Sequence, residues 1–129
     1  MNFKIYPLVS SLHDENIINQ TTQGFLNELE TLLNAKFIIE KDINNLYIDS
    51  DLSFLLVQTG GSEGYFLKAK DRLKQPILLL TYGFSNSLAA AIEILSYINQ
   101  NNMNGEILHG SFDYISSRIK ELLKEKNHE

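Results

Sequence analysis

Two apolar runs constrain this chain more than any other feature. Residues 52–57 read LSFLLV and residues 77–81 read ILLLT. A strand that is apolar on both faces has to be covered on both faces, which is the situation inside a parallel sheet sandwiched by helices. The first run stops at Gln58 and passes through Thr59, Gly60, Gly61 and Ser62 into a helical pattern that opens at Glu63. This is how a buried strand hands over to a helix at the ligand-binding edge of an open α/β sheet.

The rest of the pattern alternates in the same way. Residues 3–9 read as a strand, with Pro7 favouring its end or a bulge. Ile18, Thr22, Phe25, Leu26, Leu29, Leu32 and Leu33 recur at helical spacing, with Glu28 and Glu30 on the other, solvated side; either Asp14 caps this helix or Ser10 or Ser11 begins an earlier turn. Residues 36–40 form a short strand. Residues 42–51 are polar and Asn-rich, holding either a short extra strand or a loop. A helix spans residues 63–73 and closes at Gln75-Pro76, because the residue before proline is pushed out of the helical region. An alanine-rich helix covers residues 87–101, and its Ala89, Ala90 and Ala91 permit close approach to the sheet or to a neighbour. Residues 106–109 form the last strand. Phe112, Ile115, Ile119, Leu122 and Leu123 mark a final amphipathic helix capped by Ser111. This order predicts one α/β domain over residues 1–129. It is a three-layer sandwich around a parallel five-stranded sheet, Rossmann-like or flavodoxin-like; five strands suit the order 2-1-3-4-5, which the sequence alone does not fix.

Composition narrows the function classes. A net charge of −5 argues against nucleic acid and anionic membranes as partners. No window reaches the roughly 18 apolar residues of a membrane span. The N-terminal MNFKIYPLV lacks the order of a secretory signal, and cysteine is absent, so a cytoplasmic location is the default expectation.

In the predicted order the ligand crevice opens between strands one and three, beyond their carboxyl ends. The connection after strand one carries Ser10, Ser11, His13, Asp14 and Glu15; that after strand three carries Thr59, Gly60, Gly61, Ser62 and Glu63. Asn86 and Ser87 follow strand four, and His109 with Gly110 ends strand five. The segment is neither a Walker loop nor G-x-G-x-x-G, and Glu63 would repel a phosphate; neutral polyols or an amine suit it better. Alternatively, Gly60-Gly61 only makes a tight turn and Glu63 only complements the helix dipole. His13 is either a proton-transfer group or part of an exposed loop, and His109 either a site residue or a strand-end hydrogen-bonding group. Three scattered histidines give no metal-ligand spacing. Glu93 shares a helical stripe with Ser96, Tyr97 and Gln100, read as a solvent face or an interface. A phosphoacceptor receiver is set aside because strand three ends in Gln58-Thr59 and His109-Gly110 stands where a lysine is needed.

Two stretches, VQTGGSEGYF (residues 57–66) and PILLLTYGFSNSLAAAIEILSYINQNNMNGEILHG (residues 76–110), together resemble the amino-terminal domain of the L-fucose isomerase and L-arabinose isomerase superfamily. The matching features are Thr59 to Glu63, Asn86-Ser87 before Ala89 to Ala91, and His109-Gly110, over about half the chain. The resemblance implies the first domain of a larger, oligomeric ketol-isomerase. Such enzymes interconvert an aldose and a ketose, usually with Mn²⁺ or a similar divalent metal held by later domains. It implies no cofactor within this chain and no complete catalytic site, but a share in a sugar pocket or an oligomer interface. Thr59, Gly60, Gly61, Ser62 and Glu63 would be central, with Asn86, His109 and His13 beside them. The alternatives are a stand-alone flavodoxin-like module for a small polar ligand, and a structural subunit whose alanine-rich helix packs on a partner.

Overall fold

A computed structural model describes residues 2–8, 15–40, 42, 52–58, 62–81 and 87–127, with only the backbone for residues 15–21, 126 and 127. Its elements run β1 (Asn2–Leu8), α1 (Glu15–Leu33), β2 (Lys36–Ile39), β3 (Ser53–Val57), α2 (Glu63–Ala69), β4 (Ile77–Thr81), α3 (Ser87–Gln100), β5 (Gly105–Leu108) and α4 (Phe112–Asn127). All four strand pairings are parallel and the order is β2-β1-β3-β4-β5. This is the flavodoxin-like order, one that five alternating strands suit but that the alternation does not itself fix.

The two apolar runs occupy the centre of the sheet, and every residue of β3 and β4 is buried. Alternation along the strands divides the core in two. Phe3, Ile5, Phe54, Leu56, Leu78, Leu80 and Leu108 face α1 and α4, where Leu26, Leu29, Ile115 and Ile119 meet them. Leu8, Leu55, Val57, Ile77 and Leu79 face the other layer, where Phe66 of α2 and Ala90, Ala91, Ile94 and Ile98 of α3 close over them. Fully burying a side chain of this size contributes about 1.5–3 kcal/mol, so the central strands anchor the whole fold. Ala90 and Ala91 serve close approach of α3 to the sheet, whereas Ala89 is exposed.

Several boundaries differ from the sequence reading, for local reasons. The helix starting at Glu63 gives way after Ala69 to a 3-10 turn at Lys70–Arg72, and Leu73 is already extended. β5 begins one residue early, at Gly105, because Ile77 pairs with it across the sheet. Ser111 caps α4 as expected, its Oγ accepting the Tyr114 N–H at 3.1 Å. Glu93, Ser96 and Gln100 are exposed, and Tyr97 packs edge-on against Phe66, so this stripe is a solvent face anchored by one aromatic.

Glu30 requires a correction. It is half-buried rather than solvated, and one carboxylate oxygen accepts the Phe37 N–H at 2.9 Å. The Glu40 N–H points inward, to Ile5 O of β1, so by the alternation of a strand the Phe37 N–H points outward. Among the described residues β2 is the outermost strand, and Glu30 occupies its outward N–H, which left open would invite another strand.

Candidate functional site at the carboxyl edge of the sheet

The strand order reverses between β1 and β3, and the backbone at that point is tied together closely. Leu8 O, at the end of β1, accepts the Gln58 N–H at 3.1 Å and the Ser62 Oγ–H at 3.0 Å. Ser62 is fully buried, and it fixes the start of α2 against the end of β1. The end of β1, the end of β3 and the start of α2 are thus joined at this point. The Ser62 hydroxyl proton is held by Leu8, so the residue's contribution is to position its neighbour Glu63. Gln58 is also buried and donates its Nε2–H to Thr22 Oγ1 of α1, which locks the first helix to the same corner.

Glu63 is the chemically unusual member. Its Oε2 is buried and, among the described residues, has no hydrogen-bond partner. Buried carboxylate oxygens are nearly always hydrogen-bonded, because desolvation without compensation is costly. A donor reaching this corner would find an acceptor already in place.

Tyrosines flank the corner. The Tyr6 phenol of β1 has its pKa raised, first by burial, then by the Asp42 carboxylate and then by Tyr65 of α2. Further along the same edge, Thr81 ends β4 and is buried, and its Oγ1 lies 2.6 Å from Nδ1 of His109, which follows β5. His109 itself is exposed. Gly110 follows with φ at +124°, a backbone conformation suited to glycine.

Of the residues expected at the site, Ser62 and Glu63 stand at the β1–β3 switch point and His109 at the end of β5, all on the carboxyl edge. His13, Thr59, Gly60, Gly61 and Asn86 lie outside the described residues. Gln58, Thr81, Tyr6 and Tyr65 do not stand out as site residues in the sequence. The signal available is a polar residue closing an apolar run, as Gln58 and Thr81 both do.

The amino edge of the sheet offers a different environment. A cavity of about 210 Å³ lies there, lined in part by Gln75, Asn104, Glu106, Arg118 and Glu125. Its guanidinium is already engaged: Arg118 holds both Glu106 oxygens at 2.8 and 2.9 Å and Glu121 at 2.9 Å. These bonds, Glu106 first, raise the Arg118 pKa further, so the charge is permanent and internally neutralised. The cluster staples α4 to β5.

Among the described residues no group of three His, Asp or Glu side chains is placed to hold a metal ion. Among them, too, no helix is long and apolar enough to cross a membrane. Compared with protein-family models, with curated proteins and with solved structures, the chain matches none.

Proposed function

We propose that this chain is a ligand-binding α/β domain that holds a small hydroxyl-bearing molecule, in first place a sugar, at the carboxyl edge of its sheet. It contributes contacts to that molecule and not a complete catalytic centre, as the resemblance to the isomerase amino-terminal domain implies. One observation carries the reading: the buried Glu63 Oε2, partnerless among the described residues, sits where the strand order reverses. Doubly wound sheets bind ligands at that place. An acceptor without a donor selects a ligand bearing O–H or N–H groups and disfavours a phosphate. The Ser62 tie to Leu8 holds the acceptor still, which lowers the entropy lost on binding.

The test is calorimetric titration with L-fucose and L-arabinose, for the native chain and for Glu63→Gln and Glu63→Ala. Saturable binding to the native chain is expected. Losing a hydrogen bond to a charged acceptor, about 1.5–3 kcal/mol, weakens it roughly ten- to a hundredfold in both variants. Equal affinity in all three proteins would remove Glu63 from the site.

A further inference from the structure

The far end of the same edge carries a second set of groups that the Glu63 corner does not explain. His109 Nδ1 is held by Thr81 Oγ1 at 2.6 Å, and Thr81 is buried, so the imidazole is pinned from beneath. Among the described residues its other ring nitrogen, Nε2, has no partner, and the ring is exposed. Beside it, Tyr114 on the first turn of α4 is 48% exposed, a large aromatic surface left in solvent. The Tyr114 backbone is held at the helix start, its N–H donated to Ser111 Oγ at 3.1 Å, and its ring edge is turned toward the Cα of Gly110. A Cβ added at Gly110 would sit 3.9 Å from Tyr114 Cδ2, so the side chain next to His109 is missing where the ring approaches. Among the described residues the Tyr114 hydroxyl also has no partner within the chain.

We infer that His109 and Tyr114 form a ring-recognising subsite, in which Tyr114 stacks on the apolar C–H face of a cyclic monosaccharide and His109 Nε2 hydrogen-bonds one of its hydroxyls. The inference rests on the reading that this edge holds a hydroxyl-bearing ligand, and it adds the ligand class: a closed sugar ring and not an open-chain polyol. Three features support it. A tyrosine is a rigid amphipathic plate that loses little entropy on binding, and such plates line small-molecule sites. An imidazole with one nitrogen anchored presents the other at a fixed angle and can donate or accept. The glycine between them leaves the rim open for a flat ligand. An open-chain alditol keeps the hydroxyl configuration and has one hydroxyl more, the ring oxygen being freed, but it has no fixed apolar face to lay on the ring.

The experiment compares L-fucose and L-arabinose with the matching alditols, L-fucitol and L-arabinitol, by calorimetric titration at pH 7.5. The native chain, Tyr114→Ala, Tyr114→Phe, Thr81→Val and Glu63→Gln are used in parallel. The cyclic sugars are expected to bind about five- to tenfold more tightly than the alditols, a preference that Tyr114→Ala abolishes and Tyr114→Phe retains. Thr81→Val releases the imidazole and weakens sugar binding about three- to tenfold. Its retained folding is checked by circular dichroism. Sugar and alditol binding with equal affinity, or with affinity untouched in Tyr114→Ala, overturns the ring subsite. If Glu63→Gln alone weakens binding, the edge still holds a ligand and only the subsite is lost. If none of the four compounds binds, both proposals fall.

Discussion

Replacing Gly105 by alanine separates crowding from conformational entropy, because the same exchange at two other glycines is expected to have the opposite sign. Gly105 opens β5 opposite Ile77 of β4. An added Cβ would lie 2.8 Å from the Ile77 carbonyl oxygen, a backbone atom at the start of a strand paired on both sides, and 3.2 and 3.3 Å from Ile98 Cδ1 and Cγ2. Ile98 can turn, but Ile77 O cannot retreat without pulling β4 from its neighbours. Overpacking of this kind costs about 1–3 kcal/mol. Against it stands the smaller freedom of the unfolded alanine chain, about 0.4–1 kcal/mol in favour of the variant. The net expectation is a loss of about 1–2 kcal/mol, or roughly 0.5–1 M in urea midpoint. At Gly24 in α1 and Gly64 in α2 an added Cβ would meet nothing within 4 Å, so alanine there should raise stability by about 0.5–1 kcal/mol. Equilibrium urea unfolding of the three variants reads both signs at once. Gly105→Ala as stable as the native protein would mean that the β4–β5–α3 junction is looser than these distances require.

Removing the carboxylate that blocks the sheet edge, in Glu30→Ala, should cost about 1 kcal/mol and leave the Phe37 N–H open, so that sedimentation velocity shows concentration-dependent association absent from the native chain. Unchanged sedimentation would show that Glu30 does not guard the edge. The raised pKa of Tyr6 makes stability depend on pH at the alkaline end. The folded protein holds the phenol proton more tightly than the unfolded chain, whose ordinary value is 10.0, so stability is intact below that pH and falls as pH rises through the folded value. Denaturant titrations between pH 8 and 11 should show a shallower decline in Tyr6→Phe, and parallel curves would argue against burial of that phenol.

The fold can be read from the sequence because its strongest signals are local. The runs at β3 and β4 are apolar at almost every position, which only a two-sided cover explains, and the intervening helices force parallel pairing. The helix end at Ala69 is harder to read: Lys70, Asp71 and Arg72 are all acceptable helix residues, and the change to a 3-10 turn answers to the approach of Leu73 to the core. Ser62, Glu63 and His109 can be placed on one edge from topology alone. Pairings made across long separations leave no such local trace. Gln58 with Thr22 joins residues 36 apart, and Thr81 with His109 joins residues 28 apart. Glu30 reads as solvated because helical spacing reports the face of a helix and not which neighbouring strand edge lies open.

Whether the carboxyl edge, anchored at Glu63, receives the ligand can be read from chemical-shift mapping on the uniformly ¹⁵N-labelled chain during titration with L-fucose. Amide shifts that saturate and gather at Leu8, Gln58, Glu63, Thr81, His109 and Tyr114 are expected. Shifts gathered instead around Gln75, Asn104, Glu106 and Arg118 would move the ligand to the opposite edge and refute the assignment.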